Sequence, residues 1–266
     1  MIPKIIHYCW FGGKPLSRLA VKCIDSWEKN CPSYEIKRWD ETNFDIGCCE
    51  YVKEAYEAKK WAFVSDYARF KILYEHGGLY FDTDVEIIKP IDELVLNGAF
   101  MGCEPGERLV VAPGLGLAAM PKMSIYKEII DYYNTQSFMK KNGTNNSETV
   151  VTRVTKILYK HGFQGSGAIE KVKNIIIYPP EYFCPKNYYT GKLKITKNTY
   201  SIHHYNASWY EPEEEKSYKI EKKINRIVGI KIGKILGKPV HYFFRFKLRM
   251  REKGGVLNAI KYIITR

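Results

Sequence analysis

Gly77-Gly78-Leu79-Tyr80-Phe81-Asp82-Thr83-Asp84 is the stretch on which the reading of this chain turns. A helical pattern runs from Ala62 up to the two glycines, and a short apolar run follows them as far as Glu86. If Leu79 to Val85 is extended, Leu79, Phe81, Thr83 and Val85 point to one face and Tyr80, Asp82 and Asp84 to the other. Two like charges side by side on a half-buried strand gain nothing from packing, so a cation or a hydrogen-bonding ligand is expected to compensate them. Hard carboxylate oxygens suit Mg²⁺ or Mn²⁺, above all where a phosphate completes the shell.

An Asp-x-Asp taken alone weighs little, because eight aspartates in 266 residues produce one by chance in roughly a quarter of such chains. Its surroundings add weight. The preceding helix carries Phe63, Tyr67, Phe70 and Tyr74 at helical spacing, an aromatic stripe for a core. Asp66 and Arg69 lie one turn apart on another face. An i,i+3 surface ion pair is the plain reading of those two, but this helix ends within a few residues of the Asp82–Asp84 pair.

Ala62-Phe63-Val64-Ser65-Asp66-Tyr67-Ala68-Arg69 followed by Leu73-Tyr74-Glu75-His76-Gly77-Gly78-Leu79-Tyr80-Phe81-Asp82-Thr83-Asp84 resembles the sugar-nucleotide block of the DXD-type retaining glycosyltransferases. The family in question is the capsular-polysaccharide and yeast mannosyltransferase-like one, related to the glucosylating domains of large clostridial toxins. The resemblance implies a GT-A-like fold and a divalent metal, Mn²⁺ or Mg²⁺, held by Asp84 directly and by Asp82, which also contacts ribose. It further implies that Tyr80 belongs to the nucleotide-sugar site, that Asp66 accepts hydrogen bonds from donor-sugar hydroxyls, and that Arg69 balances charge near sugar and phosphate.

Upstream, Pro3 to Cys9 reads as a strand and Trp10-Phe11-Gly12-Gly13-Lys14-Pro15 as the loop leaving it, the place where an α/β nucleotide binder puts its base. The opening Ile-Pro-Lys-Ile-Ile-His-x-x-Trp-Phe-Gly is similar to the start of the same family, where the aromatic residue stacks on uracil. Without that resemblance a half-buried core role for Trp10 is as good a reading. His7, inside the strand, reads as a core histidine.

Ser17 to Asn30 is expected to be helical with Ser17 as N-cap, Tyr34 to Trp39 a second strand, and Tyr51 to Lys60 a helix leading into the central block. Short strands are expected at Ala99 to Cys103, Leu109 to Ala112 and Ile175 to Tyr178, and helices at Ile91 to Asn97, Tyr126 to Tyr133 and Glu148 to His161. Gly114-Leu115-Gly116 is no dinucleotide fingerprint, since no strand–helix unit surrounds it. In Thr199 to Trp209 a strand carries His203 and His204, which alternation sends to opposite faces, so at most one can join the carboxylates. The resemblance favours His204 as the remaining metal ligand, with His203 as the alternative, and assigns diphosphate contacts to Ser208 and Trp209.

The charge of this chain is localised. Fifteen Lys/Arg and two Glu lie in residues 216–266, so the whole net charge of +13 sits there and the first 215 residues balance. That boundary divides a catalytic domain, 1–215, from a basic tail, 216–266. Within the tail, Tyr218 to Gly237 and His241 to Arg266 read as two amphipathic segments rich in Ile, Phe, Lys and Arg, the profile of a segment lying on an anionic membrane surface. Docking on the catalytic body and nucleic-acid binding are the competing readings. Seven cysteines without paired spacing suit a reducing cytoplasm, no leader precedes Ile2, and no apolar run is long enough to span a bilayer.

The expectation is therefore an α/β enzyme with a GT-A-like sheet flanked by helices and a basic helical tail. It moves a hexose from a nucleotide-diphospho-sugar, UDP-linked by preference, to a saccharide acceptor that is polyprenol-linked, in bacterial capsule or surface polysaccharide synthesis, peripheral on the inner membrane face. A nucleic-acid-binding protein would explain the tail and leave the aspartates unexplained. A metal-dependent hydrolase would want a water-activating His/Asp cluster, for which only His203 and His204 are available.

Overall fold

The computed structural model describes residues 1–106, 108–140, 143–146, 148–206 and 212–258. Among them the chain forms two units, one of residues 1–185 and 194–204, the other of residues 186–193 and the described part of 205–266. The composition break at Lys216 falls inside a helix of the second unit.

In the first unit, β1 (Ile5–Cys9), α1 (Arg18–Asn30), β2 (Glu35–Trp39), α2 (Glu50–Glu57), α3 (Trp61–His76), β3 (Gly78–Tyr80), β4 (Val85–Ile87) and α4 (Asp92–Asn97) carry the expected alternation of helix and strand. After them come β5 (Phe100–Glu104), β6 (Val110–Val111), β7 (Leu117–Ala119), α5 (Ser124–Asn134), α6 (Val150–Lys160), β8 (Glu170–Val172), β9 (Ile175–Tyr178), α7 (Pro180–Phe183) and β10 (Ser201–His203). Ser17 caps α1 as its sequence predicts, its hydroxyl accepting from the Ala20 N–H.

The main sheet has the order β2-β1-β3-β7-β5-β9-β8, with β6 beside β5. Strands β1, β2, β3, β5 and β9 run one way, and β7 and β8 run against them. β1 has β2 on one side and β3 on the other, all parallel, so the loops leaving β1 and β3 emerge together at a point where the strand order reverses. Open α/β sheets bind ligands at such a point. Apolar residues of the inner strands, among them Ile6, Leu79, Phe100 and Leu117, are fully buried and form the core between sheet and helices.

α3 is buried almost all round, Val64, Tyr67, Phe70 and Leu73 included, and it must give way to β3 within two residues. Gly77 and Gly78 make that possible. Both adopt positive φ, 66° and 93°, and a Cβ at Gly78 would stand 2.7 Å from the Ile5 carbonyl oxygen. No side chain fits there, and the positive φ favours glycine independently.

The extended run expected from Leu79 to Val85 does not form. β3 ends at Tyr80, the Asp82 N–H donates to the Gly114 carbonyl, and the Val85 N–H turns back to the Asp82 carbonyl. The chain thus changes sheets at this turn, because β4 pairs with β10 in a separate two-stranded sheet. Asp82 closes a strand of the large sheet and Asp84 opens one of the small sheet. α1 supports β4: the Ser26 hydroxyl accepts from the Ile87 N–H, the Trp27 indole donates to the Val85 carbonyl, and the Asn30 amide donates to the Ile87 carbonyl. Those side chains do for β4 what a neighbouring strand would do.

In the second unit, α8 (Pro212–Val228) and α9 (Ile230–Lys253) fold back on each other as a helical hairpin. Three glutamates in the first turn of α8 complement its dipole. The break between the two tail helices falls at Gly229, φ 81°, not between Gly237 and His241 as the sequence suggests. Pro239 lies within α9 on an exposed side, where the helix tolerates the loss of one hydrogen bond.

Candidate active site

The turn at Asp82 faces the middle of α3. Arg69 reaches across to both carboxylates, 2.8 Å to Asp66 and 3.2 Å to Asp82, while its Nε–H donates to the Ser65 carbonyl 3.1 Å away. The guanidinium also lies over the Tyr80 ring, 4.9 Å from its centre. The exposed ion pair that spacing alone suggests for Asp66 and Arg69 is instead an interior one. Side-chain exposure rises from 4% at Arg69 through 14% at Asp66 to 32% at Asp82, so the arginine forms the floor of the site and Asp82 its rim.

Burial pulls the Arg69 pKa down, and Asp82, Tyr80 and Asp66 more than reverse it, so the guanidinium is charged at every pH of interest. Asp66 is pushed up to about 6, chiefly by burial, with Asp82 adding repulsion and Arg69 opposing. Asp66 therefore titrates close to neutrality.

Tyr80 is buried, and its hydroxyl donates to Asp82 Oδ1 at 3.0 Å. It supports that carboxylate from below. The Asp82 carboxylate is confined from a second side by Gly114, where a Cβ would stand 2.0 Å from Oδ2. The segment Pro113–Leu115 is a single tight helical turn, and the glycine in it makes the room Asp82 occupies. Sequence pattern assigns Gly114 no role, since its partner lies far away along the chain.

Asp84 meets His203, whose Nε2 lies 3.3 Å from Asp84 Oδ1. His204, the ligand favoured from sequence, does not turn to the aspartates. Its Nε2 pairs with Glu86 at 2.7 Å, and Lys22 approaches the same carboxylate. The two histidines go to opposite sides, His203 at the end of β10 to Asp84 in the turn before β4 and His204, just past the strand, to Glu86. Burial would lower the His203 pKa, but the Asp84 carboxylate, with Asp82 and Glu104 farther off, raises it. Glu104, at the carboxyl end of β5, is a further acid of this neighbourhood, its own pKa raised by burial. Its position at a strand end is the one signal that could have singled it out.

Trp10 leaves β1 at the same end of the sheet, half-buried, its backbone N–H on the Trp39 carbonyl and its indole N–H on the Lys14 carbonyl. Ser208 and Trp209 lie outside the described residues. His7 is the satisfied core histidine expected: it accepts from the Trp39 indole, donates to the Gly77 carbonyl, and burial lowers its pKa to about 4.

Among the described residues no group of three or more His, Cys, Asp and Glu side chains gathers closely enough to hold a metal unaided. Asp82, Asp84 and His203 still offer two hard carboxylates and an imidazole at one end of the sheet. That donor set fits a divalent ion that takes the rest of its shell from phosphate and water.

Residues 17–101 match the family described as the glycosyltransferase sugar-binding region containing DXD motif. The match runs from the cap of α1 into β5 and contains Asp66, Arg69, Tyr80, Asp82 and Asp84. An uncharacterized glycosyltransferase, L373, of Acanthamoeba polyphaga mimivirus is 23% identical over 227 residues, which cover 80% of this chain and 85% of the relative. Two solved structures resemble the chain more loosely. The PaToxG glycosyltransferase is 18% identical, with a TM-score of 0.43 over 60% of this chain and 69% of its own. A glycosyltransferase involved in the glycosylation of the major capsid of PBCV-1 is 13% identical, with a TM-score of 0.45 over 82% of this chain and 100% of its own. The chain is a glycosyltransferase, and its residues 17–101 resemble a sugar-binding region that contains a DXD motif.

Proposed function

We propose that this glycosyltransferase is metal-dependent and moves a hexose from a UDP-sugar, with retention of configuration, to a lipid-linked saccharide in bacterial capsule or surface polysaccharide synthesis. The observation that carries the metal and donor parts is the Arg69 guanidinium bound by Asp66 and Asp82 beside the turn that leads to Asp84. Retention, the base and the acceptor rest on the family resemblance.

In this reading Asp82, Asp84 and His203 hold Mn²⁺ or Mg²⁺. The bound ion supplies charge opposite the departing diphosphate. Asp66 accepts hydrogen bonds from the hydroxyls of the donor sugar, and its pKa of about 6 leaves it mostly ionised at neutral pH. Arg69 keeps Asp66 and Asp82 from repelling each other and holds Asp82 in one rotamer through its fork of donors. Tyr80 and Gly114 fix the same carboxylate from below and behind. Trp10 stacks on the base, and Ser208 and Trp209 hold the outer phosphate. The first unit is the catalytic domain and the second its basic appendage.

Thermal unfolding in the presence of UDP- and GDP-sugars, each with and without Mn²⁺, tests the assignment. A UDP-sugar should raise the midpoint only when Mn²⁺ is present. A rise of equal size in EDTA, or no rise with any nucleotide sugar, would contradict it.

A further inference from the structure

The helical hairpin of the second unit is built inside out. Helices that pack in water put their large apolar side chains at the contact and their polar ones outside. Here the buried contact positions include Ser217, Asn225, Gly233 and Gly237. A Cβ on Gly233 would stand 2.0 Å from Asn225 Oδ1, and one on Gly237 2.9 Å from Glu221 Cγ, so the two helices approach closely through glycine. Ser217 and Glu221 of α8 both bond to His241 of α9. Leu248 is buried, but many of the large apolar side chains face outward, above all near the bend: Ile227 is 83% exposed, Ile232 54%, Ile235 64%, Leu236 50% and Phe243 61%. Ile227, Ile232, Ile235 and Leu236 flank the bend at Gly229.

The same stretch has an extreme charge pattern. Residues 222–251 hold ten Lys and Arg and no Asp or Glu. Lys231, Lys234 and Lys238 are exposed beside Ile232, Ile235 and Leu236. No helix among the described residues is long and apolar enough to cross a membrane.

We propose that this hairpin docks on an anionic lipid surface, the aliphatic side chains around Gly229 entering the interfacial layer and the lysines beside them meeting the headgroups. Close packing through small residues, with bulky apolar residues turned outward, is the pattern of helices in a lipid environment. Lysine stems cover apolar surface while their ammonium groups stay at the headgroup level. A second copy of this chain would bring an equally positive face, which repels. A nucleic acid would take up the charge and leave Ile232, Ile235 and Leu236 exposed, since its recognition uses cations and aromatic rings. The proposal is independent of the donor and acceptor assigned above.

Flotation of the full chain with vesicles of phosphatidylcholine, with and without phosphatidylglycerol, tests it. Two variants are compared, Ile232→Glu/Ile235→Glu/Leu236→Glu and Lys231→Gln/Lys234→Gln/Lys238→Gln, with circular dichroism confirming the helix content of each. The unmodified chain should float with phosphatidylglycerol vesicles at low salt, and a fraction should stay bound at high salt because apolar insertion is not screened. Each variant should bind those vesicles about tenfold more weakly or worse. The proposal fails if the unmodified chain remains in the soluble fraction at low salt. It fails equally if the Glu variant binds as well as the unmodified chain, or if the Glu variant only abolishes self-association in gel filtration. Binding that high salt removes fully, and for which single-stranded RNA competes, would identify a nucleic-acid surface instead.

Discussion

At Asp82 a single carboxylate oxygen accepts from the Tyr80 hydroxyl and from Arg69, while the other oxygen lies in the space that Gly114 leaves. Gly114 does not need a left-handed backbone, so an alanine there meets a steric and not a conformational objection. The nearest atom is the end of a side chain that can rotate. Gly114→Ala should therefore swing Asp82 away from Arg69 and leave the fold almost intact, with a stability change within about 1 kcal/mol. Donor binding should weaken by about 1.5–3 kcal/mol, the worth of a charge-assisted hydrogen bond. Urea unfolding together with calorimetry of UDP-sugar binding reads both quantities, and unchanged binding would show that Asp82 does not need this position. At this scale the spacing of Asp66 and Arg69 pairs them correctly. It does not reveal the burial of Arg69, which depends on Tyr80 and Asp82 arriving from β3.

Among elements, α1 carries more of the site than its sequence suggests. Its Ser17 cap and apolar face are legible, because both are local patterns. Its contribution to β4 is not, because Ser26 and Asn30 look like ordinary polar positions until β4 lies beside them. Ser26→Ala/Asn30→Ala would leave the Ile87 N–H and carbonyl without those partners, at a cost of about 1 kcal/mol each. Because β4 and β10 set Asp84 against His203, the double variant should also weaken metal-dependent donor binding. A stability loss well below 1 kcal/mol would mean that β4 is held by β10 alone. The strand expected through Asp84 fails for a related reason. Alternation of Leu79, Phe81, Thr83 and Val85 satisfies a strand pattern, but the Gly114 carbonyl captures the Asp82 N–H and turns the chain. The two adjacent histidines do go to opposite sides, His203 to Asp84 and His204, just past β10, to Glu86. The choice between them depends on Asp84 lying in the turn before β4, which strand alternation does not describe. The tail break moves to Gly229 because a glycine at positive φ ends a helix more decisively than an exposed proline interrupts one.

For the whole molecule, charge and chemistry separate along the chain. The first 215 residues are neutral and contain every described residue assigned to the sugar site, while the positive charge gathers in the helical hairpin. Composition makes that partition readable, since counting charges needs no fold. The unit boundary is not readable in the same way, because residues 186–193 join the hairpin from within the earlier sequence. Thr190 accepts both hydrogen bonds of the Arg226 guanidinium, and Asn225 donates to the Tyr189 carbonyl. Such contacts arise between segments whose sequences carry no shared pattern. In the proposed function the turn from Asp82 to Asp84 holds the metal on which donor cleavage depends. The most direct test is the rate at which UDP is released from a UDP-sugar, with Mn²⁺ and with EDTA, by the unmodified chain and by Asp84→Asn. The account predicts release with Mn²⁺ that EDTA abolishes, and a fall of at least about a hundredfold in Asp84→Asn at unchanged thermal stability; full activity of Asp84→Asn in Mn²⁺ would contradict it.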